Sequence, residues 1–248
     1  MGTRTSMWIM PFLVLFCLSP ILNAEGETGE GELIVHIRYH GLVPPSQEVR
    51  VTRNPDVCGL SRWIQPIIVE KSTGGVKNAI LTIEGLPPTN SEIVSPPPVI
   101  LTNRECRFWP LATPIRVGET VEIRNEDPVM HNTHITNDKK TLLNITMLAT
   151  TPPVVKIVKK PGIYTVKCDA HTFMKAYMIA TDHPYLAISD GAGETRLTNV
   201  PAGRHTITVW HDRLGTIQKQ VDVSAHKSTV VSVVFPDQAG TNSEHSHP

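Results

Sequence analysis

Short segments that alternate apolar and polar residues, separated by Pro and Gly, run through most of the sequence. Residues 33–39 place Leu33, Val35, Ile37 and Tyr39 on one face, the pattern of a half-buried β-strand. The same reasoning predicts strands at residues 79–84, 99–102, 114–117, 120–124, 154–158, 163–168, 176–180, 185–189, 194–197, 205–210, 217–223 and 229–235. No helical period of useful length accompanies them. Evenly spaced short strands predict an all-β fold of sandwiches or barrels.

The charge balance and the length of the chain limit which functions and how many domains it can have. The 248 residues carry 23 basic and 23 acidic side chains, so the formal net charge is zero. We therefore expect no nucleic-acid partner, because no basic field exists to hold phosphates. The length suffices for one large or two modest domains.

The first 24 residues have the features of a secretory signal peptide. Arg4 is followed by an apolar stretch over residues 7–22, and Ala24 offers a small residue at a cleavage point. An uncleaved anchor is the alternative, but the apolar stretch is short for a bilayer span and contains prolines. The sequence thus predicts a periplasmic or secreted protein with no transmembrane span in the mature chain. Residues 25–31 are expected to form an acidic linker, and residues 237–248 a disordered tail.

The cysteine count is informative in that compartment. If cleavage follows Ala24, the mature chain keeps Cys58, Cys106 and Cys168. One pair can form a disulfide, and the third thiol then has no cysteine partner within the chain. Binding of a metal ion would explain it.

Four candidate metal ligands are Cys168, His171, Met174 and, upstream, His131. Tyr164, Val166 and Cys168 share one face of a predicted strand, so Cys168 is expected on the core side. A tight loop would bring His171 and Met174, at successive spacings of three, to the same point. One thiolate, two imidazoles and a weak thioether form the ligand set of a blue-copper site. The alternative is that these residues are ordinary core packing.

These motifs resemble a known family. The pattern Cys168-x-x-His171-x-x-Met174, with Phe173 before the Met, is similar to the copper loop of amicyanin, and residues 131–134 (HNTH) resemble its first-ligand segment. Residues 107–110 (RFWP) and 117–127 (VGETVEIRNED) are similar to strands of cupredoxins in general. The resemblance covers residues 99–181 and implies a Greek-key cupredoxin β-sandwich. Thr172 departs from the family's usual Pro.

The resemblance also implies roles for single residues. His131, Cys168 and His171 would be equatorial ligands of one type 1 copper ion, and Met174 the axial ligand. The backbone N–H of Asn132 would hydrogen-bond the Cys168 sulfur and tune the potential. His134 and Met178 are rival ligands, but strand geometry turns His134 away from His131 and Met178 belongs to a strand.

With Cys168 assigned to copper, Cys58 and Cys106 remain as the expected disulfide. The alternative is a second metal site, although neither residue has His or Cys partners nearby at metal-ligand spacing. The bridge would tie the N-terminal piece of the chain to the first cupredoxin strand.

The C-terminal part resembles a second family. Residues 187–191 (AISDG) and 197–209 (LTNVPAGRHTITV) are similar to carboxypeptidase regulatory-like (transthyretin-like) β-sandwiches. The strands that usually open such a domain are missing from the C-terminal part, but residues 32–45 and 77–85 resemble them. We therefore expect the N- and C-terminal segments to form one smaller sandwich with the cupredoxin inserted. The predicted boundaries are 32–95 for the N-terminal β segment, 96–182 for the cupredoxin domain and 183–236 for the regulatory-like domain.

Together these features predict an electron carrier rather than an enzyme, because four ligands leave no open position for a substrate. We expect transient redox partner proteins, with His171 as the electron exit and Met130, Phe173 and Met147 as an apolar docking rim. The alternatives are a Cu(I)-binding copper-handling protein, either a chaperone or a sensor, and a non-redox adhesion or scaffold module of the carbohydrate-binding kind.

Overall fold

The structure, a computed structural model, describes residue 2 and residues 29–87, 97–138 and 140–237. Within these residues the chain forms eighteen β-strands and one four-residue helix. In chain order these are β1 Glu30–Tyr39, β2 Gln47–Arg50, α1 Pro55–Cys58, β3 Ser61–Ile64, β4 Ile80–Ile83, β5 Val99–Arg104, β6 Arg107–Trp109, β7 Ala112–Arg116, β8 Thr120–Asn125, β9 His131–Asn137, β10 Lys140–Met147, β11 Val154–Ile157, β12 Gly162–Lys167, β13 Lys175–Thr181, β14 Leu186–Ile188, β15 Glu194–Pro201, β16 Gly203–His211, β17 Gly215–Val223 and β18 Ser228–Phe235.

Most of the predicted signal peptide and acidic linker lies outside the described residues, as does the tail beyond residue 237. The linker prediction is wrong at its C-terminal end, since Glu30 and Gly31 already pair with β15. None of the helices in the described ranges is long and apolar enough to span a membrane.

A first sandwich holds the central part of the chain. Its five-stranded sheet has the order β10-β9-β12-β13-β7, and its four-stranded sheet the order β11-β8-β5-β6. Apolar side chains from both sheets meet in one buried cluster, which includes Ile123, Ile135 and Val166. Each sheet contains a parallel pair, β7 with β13 and β5 with β8, so the chain crosses over between non-adjacent strands.

A second, smaller sandwich is built from both ends of the described chain. Its sheets have the orders β15-β1-β18 and β14-β4-β16-β17. The alternation in β1 buries Leu33, Val35, Ile37 and Tyr39 in the core between these sheets, as the sequence predicts. The all-β prediction of two β-sandwiches is confirmed.

The strand pairing shows that segments from the two ends of the described chain lie in the same sheets. β1 pairs antiparallel with β15 and in parallel with β18, and β4 lies between β14 and β16. These are the contacts expected of a single sandwich interrupted by the central one. A small apolar cluster of Ile80, Ala112 and Ile179, with Trp210 packed against it, joins the two sandwiches.

The segment between β1 and β4 forms a separate hairpin that the sequence analysis did not foresee. β2 and β3 pair antiparallel, with α1 between them. Val51 and Cys58 of this segment are buried in the core of the first sandwich. We call residues 47–64 the N-terminal cap.

A disulfide joins the cap to the first sandwich. Cys58 and Cys106 are bonded, with their Cα atoms 5.5 Å apart and 48 positions apart in sequence. The predicted bridge is therefore confirmed. Closing a loop of that length in the unfolded chain stabilises the fold by about 4 kcal/mol, comparable to burying two large apolar side chains.

Candidate metal centre

Cys168 lies just after β12, where the strand enters the core. Tyr164, Val166 and Cys168 are buried, whereas Ile163 and Lys167 face solvent. The alternation therefore carries the thiol to the core side, as expected. Cys168 is the free cysteine of the described residues.

The loop after Cys168 is closed by two backbone hydrogen bonds. The N–H of Met174 donates to the His171 carbonyl at 2.8 Å, and the N–H of Cys168 donates to the Met174 carbonyl at 3.3 Å. These bonds fold seven residues back on themselves, so that the side chains of Cys168, His171 and Met174 are all buried, each at most 2% exposed. Side chains that would point to alternate faces of a straight strand are thereby brought into one cluster.

His131 comes from the neighbouring strand. It is the first residue of β9, which lies beside β12, and it is fully buried. The N–H of the next residue, Asn132, donates to the Cys168 sulfur at 3.4 Å. The Asn132 side chain also accepts from the Asp169 N–H and donates to Asn144 on β10, and it thus ties the loop to two strands.

Three potential metal-binding atoms lie close together. The Cys168 Sγ lies 3.6 Å from the His171 Nδ1 and 4.0 Å from the His131 Nδ1, and the three donor atoms lie within 4.8 Å of one another. A sulfur and a nitrogen bound to the same metal, at about 2.3 Å and about 2.0–2.1 Å, are about 3.6–3.8 Å apart. The Cys168–His171 distance matches this spacing, and the Cys168–His131 distance exceeds it by about 0.2 Å, so the residues fit a shared metal ion after a small adjustment.

The rival ligands lie elsewhere. His134 is on the opposite face of β9, where its Nδ1 is 3.4 Å from an Asp169 carboxylate oxygen and its Nε2 is 3.2 Å from the Thr141 hydroxyl. Met178 is buried within β13. Cys106, Asp127 and His131 form a second buried group of potential ligands, but the Cys106 sulfur is bonded to Cys58 and is not available.

Asp127, which the sequence analysis did not single out, orients His131. Its Oδ2 is 2.8 Å from the His131 Nε2, and its side chain is 7% exposed. An acceptor at Nε2 keeps the proton on that nitrogen and leaves the lone pair of Nδ1 facing Cys168. The sequence signal that could have identified Asp127 is its position in a turn, four residues before His131.

The same carboxylate supports the turn that carries the disulfide. Glu105 and Cys106 have φ angles of 55° and 52°, in the left-handed region that residues with a Cβ disfavour. Asp127 accepts hydrogen bonds from both of their N–H groups, at 2.7 and 2.9 Å. The turn, the disulfide and the His131 ring are therefore held by a single side chain.

Burial lowers the pKa of both imidazoles. For His131 desolvation is the largest cause, and the hydrogen bond and charge of Asp127 oppose it. For His171 desolvation again comes first, followed by repulsion from His131. Both rings thus stay neutral to lower pH than a free His, and the neutral ring is the form that binds a metal.

The structure buries His171, the residue expected to serve as the electron exit. The ring is 2% exposed, and its Nε2 makes no hydrogen bond of ordinary geometry within the described residues, although Arg53 lies close enough to influence its pKa. Arg53 belongs to the cap, whose position over the loop no local sequence pattern reveals.

The predicted docking rim is only partly exposed. Met130 is 39% exposed, and Phe173 is half-buried with its ring edge-on to His171 at a centroid distance of 5.8 Å. Met147 is fully buried in the core of the first sandwich, so its place in the rim was wrongly predicted.

Comparison with solved structures finds copper proteins that match part of the chain. A reduced Cu(I) form of an amicyanin variant is 19% identical over 41% of this chain and 98% of its own, with a TM-score of 0.32. A purple cupredoxin from Nitrosopumilus maritimus is 22% identical over 34% of this chain and 99% of its own, with a TM-score of 0.30. A copper-containing nitrite reductase from Thermus scotoductus is 24% identical over 38% of this chain and 24% of its own, with a TM-score of 0.31. No protein-family model and no curated protein matches the sequence.

Proposed function

We propose that this protein is a type 1 copper protein that carries single electrons between redox partners. The observation that supports this most is the buried triangle of the Cys168 Sγ, the His131 Nδ1 and the His171 Nδ1. Met174 closes the loop that brings two of these donors together. A Cys and two His with a thioether at hand match the blue-copper ligand set.

Copper, when bound, would supply a one-electron change between Cu(I) and Cu(II). The protein's part is to offer both oxidation states acceptable ligands, a soft thiolate and two neutral imidazoles. Asp127 holds the His131 ring, and Asn132 holds the sulfur and the loop after it. Because each donor is fixed before metal arrives, little rearrangement accompanies gain or loss of an electron.

Partners would dock at the rim formed by Met130 and Phe173. Because His171 itself is buried, the half-buried Phe173 ring, which packs edge-on against that imidazole, offers an apolar contact with a ligand residue. Transient redox complexes need only a small interface, below roughly 1,200 Å². A small apolar rim is therefore suited to a weak, short-lived encounter.

The compartment that suits this function is outside the cytoplasm. The disulfide between Cys58 and Cys106 supports a periplasmic or secreted location, because such bonds persist in oxidising surroundings. The signal peptide predicted over residues 1–24 gives the same location.

Voltammetry of the copper-loaded protein tests electron transfer. We expect one reversible one-electron couple in the wild type and in His134→Gln, whose side chain lies outside the ligand cluster. We expect its loss in Cys168→Ser. Loading with Cu(I) but no reversible Cu(II) state would overturn the proposal in favour of copper handling. Failure to bind copper at all would instead leave the scaffold role.

A further inference from the structure

A cavity of about 230 Å³ lies where three parts of the molecule meet. One wall is the cap at β3, the second is the segment from Phe173 to β13, and the third is the end of β16 with the turn that follows it. The cavity adjoins the metal centre, because Phe173 and Met174 line it, but its other groups take no part in that centre.

Positive charge is concentrated around this cavity. The basic residues that line it are Arg62, Lys77, Arg107, Lys175 and Arg213, and the one acidic residue is Asp212. The chain as a whole has no net charge, so a formal excess of four positive charges here is a local feature. Such a concentration raises the affinity of a cavity for anions.

Few of these cations have a counter-ion. Arg213 pairs with Asp212 at 3.8 Å, and the charge of Asp212 also acts on Lys175, whereas Lys77 and Arg107 form no ion pair with any described residue. Arg62 donates to the Glu105 carbonyl, but its Nε is buried without a partner. Burial and the neighbouring charge of Arg107 lower the pKa of Arg62, and the charges of Glu105 and Asp127 oppose this only in part. An anion in the cavity would relieve this repulsion.

Four aromatic side chains also line the cavity. Trp63, Phe173, Tyr177 and Trp210 line the cavity, and the Tyr177 and Trp210 rings pack edge-on at 5.1 Å. The Lys175 ammonium lies 4.8 Å from the centre of the Tyr177 ring, at the boundary between the charged and the apolar surface. Aromatic walls favour a flat apolar ligand in offset or edge-on contact.

We propose that the cavity binds a compact aromatic carboxylate. The guanidinium groups match a planar carboxylate, which they can hold through two parallel hydrogen bonds, and the aromatic walls receive the ring. The volume lies below the roughly 300–1,000 Å³ of pockets for drug-sized molecules, so a single ring fits better than a larger ligand. The site is separate from the proposed electron-transfer function and does not require copper.

Calorimetric titration of the metal-free protein with benzoate tests the proposal. We expect saturable binding of benzoate and none of benzylamine, which keeps the ring and reverses the charge. Cyclohexanecarboxylate keeps the charge and loses the aromatic face, and we expect it to bind several-fold more weakly. Equal binding of benzoate and benzylamine, or of neither, would overturn the proposal.

Variants locate the binding. Lys175→Gln and Arg107→Gln should each weaken benzoate binding about tenfold, the effect of losing one charge-assisted contact. Lys156→Gln is the matched control, since this exposed residue of β11 loses the same charge and lies outside the cavity. Thermal melts verify that each variant is folded. Benzoate binding unchanged in both cavity variants would show that the anion binds elsewhere and would refute the assignment.

Discussion

At the scale of single residues, the metal centre depends on a group that is not itself in the ligand triangle. Asp127 contacts the His131 Nε2 and accepts hydrogen bonds from the backbone N–H groups of Glu105 and Cys106. An amide in its place offers one oxygen instead of two and presents N–H groups to donors. Both the metal site and the fold should respond to that change.

Asp127→Asn should destabilise the metal-free protein by about 2–4 kcal/mol, since hydrogen bonds to a buried charged acceptor are lost. It should also weaken copper binding roughly 10–100-fold, as expected when the partner of a ligand imidazole is removed. Urea denaturation and competition with a copper chelator measure the two effects. Asp169→Asn, the exposed partner of His134, is the control and should change neither. Equal behaviour of the two variants would contradict the role given to Asp127.

The buried imidazoles predict a pH dependence of the metal-free protein. The pKa values of His131 and His171 are lowered from 6.5, so below about pH 6.5 the unfolded chain binds more protons than the folded one. The free energy of unfolding should therefore fall as the pH drops from 7.5 to 5.5. Thermal melts across this range check it, and the slope should be smaller in His171→Gln. A melting temperature independent of pH would contradict the prediction.

At the scale of elements, the cap determines what surrounds His171. Val51 and Cys58 bury this segment in the first core, and the disulfide fixes it to the β5–β6 turn. Release of the bridge should loosen the cap without altering the strands that hold the ligands.

The double variant Cys58→Ala with Cys106→Ala should lose up to about 4 kcal/mol of stability, from the unfolded-state loop that is no longer closed. Its His171 should become reactive towards diethyl pyrocarbonate, as mapped by mass spectrometry, while His131 stays protected. His171 equally protected in the variant and in the wild type would show that the cap does not depend on the bridge.

Alternation of apolar residues predicted β1, β8, β12 and β18 from the sequence, because each has one face in a core and one in solvent. The same reasoning missed β9, whose inward residues His131 and Thr133 are polar. His131 faces inward among the candidate ligands, and Thr133 accepts a hydrogen bond from the buried Asn103 side chain. A pattern based on hydrophobicity cannot find a strand whose buried face carries chemistry.

The candidate site was predictable where its residues are close in sequence. The spacing of Cys168, His171 and Met174 indicates a loop, and the odd cysteine points to a metal. Asp127 and the cap could not be foreseen, because their relation to the ligands arises from packing between distant segments. For the same reason the burial of His171 could not be foreseen.

At the scale of the whole molecule, the chain has two hydrophobic cores, and the candidate metal centre lies in the first. The second sandwich, which contains β1, has its own buried cluster, and among the described residues a small apolar cluster at Ile80, Ala112 and Ile179 lies between it and the first. The cores should therefore lose stability largely independently, and the metal centre should tolerate damage to the second.

Ile37→Ala should destabilise the second sandwich by about 2–5 kcal/mol, since Ile37 is fully buried and the substitution leaves a cavity. Ile34→Ala, on the outer face of the same strand, is the matched control and should cost less. Urea denaturation followed by circular dichroism should show an earlier transition in Ile37→Ala, while the signal from bound copper persists. Simultaneous loss of both signals would indicate a single cooperative unit.

The central claim is that Cys168, His131 and His171 bind one copper ion through a thiolate bond. The visible absorption spectrum after addition of one equivalent of Cu(II) tests it most directly. We predict an intense thiolate-to-copper charge-transfer band in the wild type and in His134→Gln, and its absence in Cys168→Ser. A wild-type protein that binds Cu(II) without this band, or a band that survives in Cys168→Ser, would contradict the account.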